Sequence, residues 1–239
     1  MMSLCPNYLA KAYLLQAKRN EVLDQIQAEP GDSPEVKAEI YAVRGTALLA
    51  ARQLLEAEES FANALKADPD SADALLGLTR ILLSRTQVDE AGKRIEQVLQ
   101  KDSENVEAWA LKGELARVLG RYQDALEALN KAVSLSPQNP ASRLVRADTY
   151  LTMNDLDRAQ VDIDFVLKAR PNLPYGQYLK AKLVYQQGDT TGAEQALREV
   201  FRLSPSHMPS QLLMGLVQYN LGNMQLAEDY LSRYLSATG

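Results

Sequence analysis

The sequence predicts an all-α fold, a solenoid of antiparallel helix pairs, on three observations. Proline recurs at Pro69, Pro137, Pro171 and Pro205, with Ser103 in the one place it skips, so a 34-residue interval runs on without insertion. A period of that length marks a stacked array of one supersecondary unit. With proline as slot 32, the units are 38–71, 72–105, 106–139, 140–173, 174–207 and 208–239, and slot 20 is alanine in all six (Ala57, Ala91, Ala125, Ala159, Ala193, Ala227). Slot 15 holds Gly120, Asn154, Gly188 and Gly222, residues that tolerate positive φ and end a first helix.

The remaining slots assign the helices. Slot 8 is small in five units (Gly45, Gly113, Ala147, Ala181, Gly215), with Thr79 the exception. Slot 24 is bulky and apolar (Phe61, Ile95, Leu129, Ile163, Leu197, Leu231), and slot 27 follows with Ala64, Val98, Ala132, Val166, Val200 and Tyr234. Slots 20, 24 and 27 are spaced by four and three, one face of a helix. Small residues at slots 8 and 20 let two helix backbones approach closely. Proline at slot 32 stops the second helix. First helices are expected near 38–51, 72–85, 106–119, 140–153, 174–187 and 208–221, and second helices near 55–67, 89–101, 123–135, 157–169, 191–203 and 225–237.

Residues 1–37 carry a weaker copy of the pattern. Tyr8 to Ala17 and Glu21 to Ala28 are expected as a shortened leading pair turning at Lys18-Arg19-Asn20, followed by the breaker cluster Pro30-Gly31-Asp32-Ser33-Pro34. The expectation is one continuous solenoid, since solenoid units touch only their neighbours and need no central core. At the other end, Met224, Leu226, Tyr230, Leu231, Tyr234 and Leu235 give the last helix more apolar surface than one neighbour covers. Either more repeats follow in a longer protein, or this uncapped C-terminal helix drives self-association.

Composition narrows the function. Charged residues at 24% and hydrophobic ones at 46% suit a globular chain, and no apolar run approaches a membrane span. A net charge of −5 without a basic stripe argues against nucleic acid. One cysteine and one histidine cannot build a metal site or an internal disulfide. Ser3-Leu4-Cys5 resembles the end of a bacterial lipoprotein cleavage motif, but too few residues precede it for the apolar segment, and it reads as a stray start. His207 is expected in a surface loop, Ser204 and Ser206 beside it lack a nucleophile elbow, no glycine-rich phosphate loop is present, and Glu58-Glu59 reads as a solvated pair. No enzyme and no cofactor are expected.

These slots resemble the tetratricopeptide repeat over nearly the whole chain, best in 106–139 with Trp109, Gly113, Ala125, Leu129, Ala132 and Pro137. The resemblance implies a right-handed α-solenoid superhelix that binds a protein or peptide partner in its concave groove. One departure recurs: slot 7, usually leucine, is Arg44, Lys112, Arg146 and Lys180, with the apolar residue moved to slot 6 (Val43, Leu111, Val145, Leu179). The uninterrupted repeat style is similar to bacterial repeat lipoproteins of exosortase and PEP-CTERM envelope polysaccharide systems. That implies an envelope or periplasmic location for a fragment of a longer protein and a cytoplasmic one otherwise.

In this family slots 2, 5, 9 and 12 of the first helices face the groove. That places Arg80, Glu114, Arg117 and Asp148 in its middle, with Leu76, Leu144 and Leu151 between them, and Tyr175, Tyr178, Lys182, Tyr185, Leu212, Leu216 and Tyr219 toward the C-terminus. Tyrosine gives a large contact area with a polar tip, which suits recognition. The alternatives are that the tyrosines pack between helices and that the middle charges pair with one another. The chaperone carboxylate clamp of some family members is absent, because slots 5 and 9 read Ala42/Thr46, Leu76/Arg80 and Ala110/Glu114. The expected function is a non-enzymatic interaction scaffold. A self-assembly module, or a polysaccharide binder along the tyrosines, stands as the alternative.

Overall fold

The computed structural model describes residues 19–238, which form thirteen α-helices and no strand. They are α1 (Arg19–Gln25), α2 (Pro34–Ala50), α3 (Leu54–Ala67), α4 (Ala72–Ser84), α5 (Val88–Lys101), α6 (Val106–Val118), α7 (Tyr122–Leu135), α8 (Pro140–Thr152), α9 (Leu156–Ala169), α10 (Pro174–Gln186), α11 (Thr190–Leu203), α12 (Met208–Asn220) and α13 (Met224–Thr238). The chain forms two compact units, Met1–Leu115 and Ala116–Gly239. Eleven of the twelve helices expected from residue 38 onward both begin and end within a residue of their expected positions.

The N-terminal helices depart further. α2 starts at Pro34, earlier than expected, because Ser33 Oγ accepts from the Val36 amide at 3.4 Å and Pro34 presets the first helical φ. The expected leading helix Tyr8–Ala17, Lys18 and Cys5 lie outside the described residues. Arg19 and Asn20, expected in a turn, open α1 instead, and α1 stops at Gln25, short of Ala28. Its end is held by Arg44, whose Nη1 donates to the carbonyls of Leu23 (2.8 Å) and Ile26 (2.6 Å), groups a helix terminus leaves unpaired.

Close backbone approach governs the packing inside each pair. The slot 20 alanines from Ala57 to Ala193 are fully buried. In the first unit the slot 24 residue is a phenylalanine, Phe61, also fully buried. Its ring lies between two glycines: a Cβ on Gly45 of α2 would come within 2.6 Å of it, and one on Gly77 of α4 within 2.3 Å. Where slot 24 is Ile95, the small residue at slot 8 can be Thr79, whose Oγ1 donates to the Leu75 carbonyl at 2.8 Å. The larger ring and its two glycines form one packing set.

All six slot 15 residues take a left-handed backbone: Gly120, Gly188, Gly222 and Asn154, and also Arg52 (φ 62°) and Thr86 (φ 59°). In the first pair the Arg52 amide donates to the Leu49 carbonyl and Gln53 to Leu48; Thr86 and Gln87 repeat this with Leu83 and Leu82. The turn is therefore enforced by its hydrogen bonds even where the residue type opposes it. Left-handed backbone costs a residue with a Cβ roughly 1–2 kcal/mol, and a β-branched threonine is a clear outlier there.

Three of the four basic residues at slot 7, Arg44, Lys112 and Arg146, reach the preceding helix. Lys112 pairs with Glu96 of α5 at 2.7 Å, and Arg146 donates to Asn130 of α7 at 2.8 Å. Arg146 also joins Arg143 on Asp162 of α9, a carboxylate only 1% exposed. The apolar slot 6 residues Val43, Leu111 and Leu179 are buried beside them.

Two outcomes test this packing. Gly77→Ala should lose about 1–3 kcal/mol in a chemical melt, and Phe61→Leu in the same chain should recover much of that loss; additive effects of the two changes would contradict the shared contact. Thr86→Gly should raise stability by up to about 1 kcal/mol, whereas Gly188→Ala should lower it. A loss in both would show that the turns are not strained at Thr86.

Candidate functional site

Within the second unit the first helices α8, α10 and α12 touch one another in sequence, while the second helices α9, α11 and α13 touch only first helices. A row that packs tightly on one side and stays open on the other bends toward the tight side, so α8, α10 and α12 line the hollow face of this unit. Gly176 lets α10 sit close on the second helix α9: the Leu167 Cδ2 would lie 2.9 Å from a Cβ added there.

Behind that face stands Asp148 of α8, buried among three donors. Lys182 Nζ lies 2.7 Å from Oδ1, and the Tyr175 hydroxyl donates to Oδ2 at 3.2 Å. Arg117 Nη1 is 3.4 Å from the same Oδ2. Residues of three successive first helices thus converge on one carboxylate. Burial, followed by the Asp148 charge, pushes the Tyr175 phenol far above its ordinary range and raises that of Tyr178 to about 12. The Tyr175 and Tyr178 rings stack at 6.2 Å, and His207 leans on Tyr178 at 5.1 Å. His207 Nδ1 meets Ser210 Oγ at 2.8 Å, and burial holds the imidazole below its usual value. It stands in the loop before α12, as expected, but as the N-cap of that helix it is half-buried and not at the surface.

In front of this layer is a groove of about 240 Å³ lined by Tyr178, Lys182, Tyr185, Gln186, Pro209, Leu212, Leu213 and Leu216. Asn220 Nδ2 donates to the Tyr185 hydroxyl at 2.8 Å and fixes that ring at the rim. Leu216 is 41% exposed and Tyr219, one turn on, 60% exposed. Five of the residues named from the sequence are therefore brought together here. Tyr175 stands behind them and Tyr219 beyond them. Gln186 was missed: its Nε2 donates to the Leu151 carbonyl at 3.2 Å, a helix-to-helix tie no spacing reveals.

The middle residues divide differently. Arg80 pairs with Glu107 at 2.9 Å in the first unit, both side chains half-exposed, a geometry worth little stability. Glu114 is partly buried on α6. Leu76, Leu144 and Leu151, expected in the groove, are core residues. Leu144 and Leu151 belong to the cluster on which Tyr175 and Tyr178 pack, because the close first-helix row closes over slots 5 and 12 of α8. No described helix is long and apolar enough to cross a membrane. No group of three metal-ligating side chains occurs among the described residues.

Tetratricopeptide repeat models match residues 48–115 and 119–183, and a second such model matches 178–239. The chain belongs to the tetratricopeptide repeat family. Tetratricopeptide repeats are generally protein–protein interaction modules. Among curated proteins, the cellulose synthase operon protein C of Pseudomonas fluorescens is 32% identical over 156 residues, covering 62% of this chain and 12% of that protein. The cellulose synthase 1 operon protein C of Komagataeibacter xylinus is 24% identical over 204 residues, covering 80% of this chain and 15% of its own. The chain thus spans a small part of the length of these relatives. Among solved structures, a tetratricopeptide repeat protein from Parabacteroides merdae superposes with a TM-score of 0.66 at 16% identity, over 97% of this chain and 91% of that one. The Cut9–Hcn1 assembly of the APC/C gives 0.73 at 17% identity, over 96% and 44%.

Across these two repeats the tyrosines should separate by role. Tyr219→Ala should leave the melt within about 0.5 kcal/mol of the parent, as for an exposed side chain. Tyr175→Phe strips a buried carboxylate of a donor and should cost about 1–3 kcal/mol. Tyr178, ordinarily near 10.0 and here near 12, binds its proton more tightly when folded, so its contribution is complete below pH 10 and is lost as pH rises toward 12. Tyr178→Phe should flatten that alkaline loss, measured by denaturation across the same window.

Proposed function

We propose that this chain is a non-enzymatic scaffold that holds a segment of a partner protein, peptide or helix, against the α10–α12 face, with the six units numbered above as its repeats. The observation that carries this is the run of partly exposed apolar side chains on an uncharged helix. α12 reads MPSQLLMGLVQYN, and Leu212, Leu216 and Tyr219 follow one another at helical spacing beside Tyr178 and Tyr185. Amphipathic partners recognise such a stripe at i, i+4 and i+7. Two relatives are named for cellulose synthase operons, which supports a role in assembling envelope or exopolysaccharide machinery.

A photo-crosslinking residue at Tyr219 should capture a partner that the same residue at Glu127, exposed on second helix α7, does not. Leu216→Asp should remove that capture with the melt unchanged. Equal capture from both positions would defeat the groove reading.

A second reading is self-association through α13, favoured by the exposure of Met224, Leu226 and Leu235 on that helix. Sedimentation should then show a concentration-dependent dimer that Leu226→Glu with Leu235→Glu returns to monomer. A monomer at all concentrations would end that reading.

A further inference from the structure

The helices that line the groove differ in charge from the rest of the chain. α10 reads PYGQYLKAKLVYQ and α12 reads MPSQLLMGLVQYN, two lysines and no acid, in a protein whose net charge is −5. The carboxylate that balances Lys182 comes from α8 and is turned away from the groove. The Asp148 side chain is 11% exposed against 24% for Lys182. Both Asp148 oxygens are engaged, Oδ1 by Lys182 and Oδ2 by the Tyr175 hydroxyl, with Arg117 beside it. Lys182 has three donors, of which Asp148 takes one. It is also part of the groove lining with Tyr178, Tyr185, Leu212 and Leu216. A segment entering the groove therefore meets Lys182, whereas the carboxylate paired with it is not among the lining residues.

We infer that the groove takes a protein segment carrying a carboxylate side chain directly beside bulky apolar ones, with Lys182 as the residue that sets this preference. The inference rests on the scaffold reading above and adds the chemistry of the occupant. The apolar side chains fill the space between Tyr185, Leu212 and Leu216. The acidic one accepts a hydrogen bond from Lys182, a charge-assisted contact stronger than a neutral one. Arg117, beside the other oxygen of Asp148, offsets the repulsion between the two carboxylates. Aspartate or glutamate flanked by leucine, phenylalanine or tyrosine meets these requirements, and a lysine in the same place meets like charge.

The test uses the full chain and a set of short, fluorescently labelled peptides of leucine, tyrosine and alanine. Each carries one Glu, Gln or Lys at a stepped position, and binding is read by anisotropy. The best Glu peptide should bind about tenfold more tightly than its Gln counterpart, and its Lys counterpart should bind more weakly still. The advantage should shrink as salt is raised and disappear in Lys182→Met. Asp148→Asn should enlarge it, because Lys182 is then no longer shared; a lysine that only braces the fold would show no such gain. Should Lys182→Met fail to fold, Lys182→Met combined with Asp148→Asn removes both charges and carries the same comparison. Glu and Gln peptides binding alike, or an advantage that survives the loss of Lys182, would overturn the charge preference and leave the groove reading standing. Binding by none of the peptides, or binding indifferent to Leu216→Asp, would overturn both.

Discussion

How near two helix backbones can pass is the constraint on which this structure depends. Alanine at slot 20 admits a first helix against its own second helix, and that contact sets the depth of space left for slot 24. Apolar side chains of a narrow range of sizes then fill it: Ile95, Leu129, Ile163 and Leu197 are all fully or almost fully buried. Because every pair meets this requirement alone, the chain builds its interior as a series of small clusters, each shared with the next pair. No large core has to form, and the surfaces between clusters remain available for polar contacts.

Those polar contacts separate the two faces of the second unit. On the outside, Arg143 and Arg146 engage Asp162 from the same helix, and Arg143 also covers the Phe165 ring at 3.8 Å. On the inside, Asp148 of α8 draws in groups from α6 and α10. The first cluster fastens one helix pair; the second spans three successive first helices and backs the groove. A buried carboxylate with several donors is a stiff element, since releasing any one of them leaves charge unpaired in a poorly solvated place.

Much of this was legible in the sequence, for identifiable reasons. A fixed period exposes every residue type six times over, so the alanines, the slot 24 residues and most turns declare themselves by recurrence. Arg52 and Thr86 did not, because their left-handed backbone is imposed by the hydrogen bonds of the turn against the preference of the residue. Leu144 and Leu151 were placed on the groove because slot geometry describes one helix at a time, and their burial is decided by the neighbouring helix. Gln186 and His207 entered the site for the same reason: one reaches back to a carbonyl on α8, the other rests on a ring of α10. Period sees what repeats; contacts between unlike side chains occur once.

The ring of Phe61 and its two glycines bear on how such a repeat can change over generations. With the ring in place, neither Gly45 nor Gly77 can acquire a side chain without collision. A smaller side chain at position 61 leaves a void, a cost borne gradually, after which both glycines are released to vary. The order of substitution is therefore directional: the ring has to go first. Lineages that retain it are held at three positions on three helices, α2, α3 and α4, by a single aromatic group.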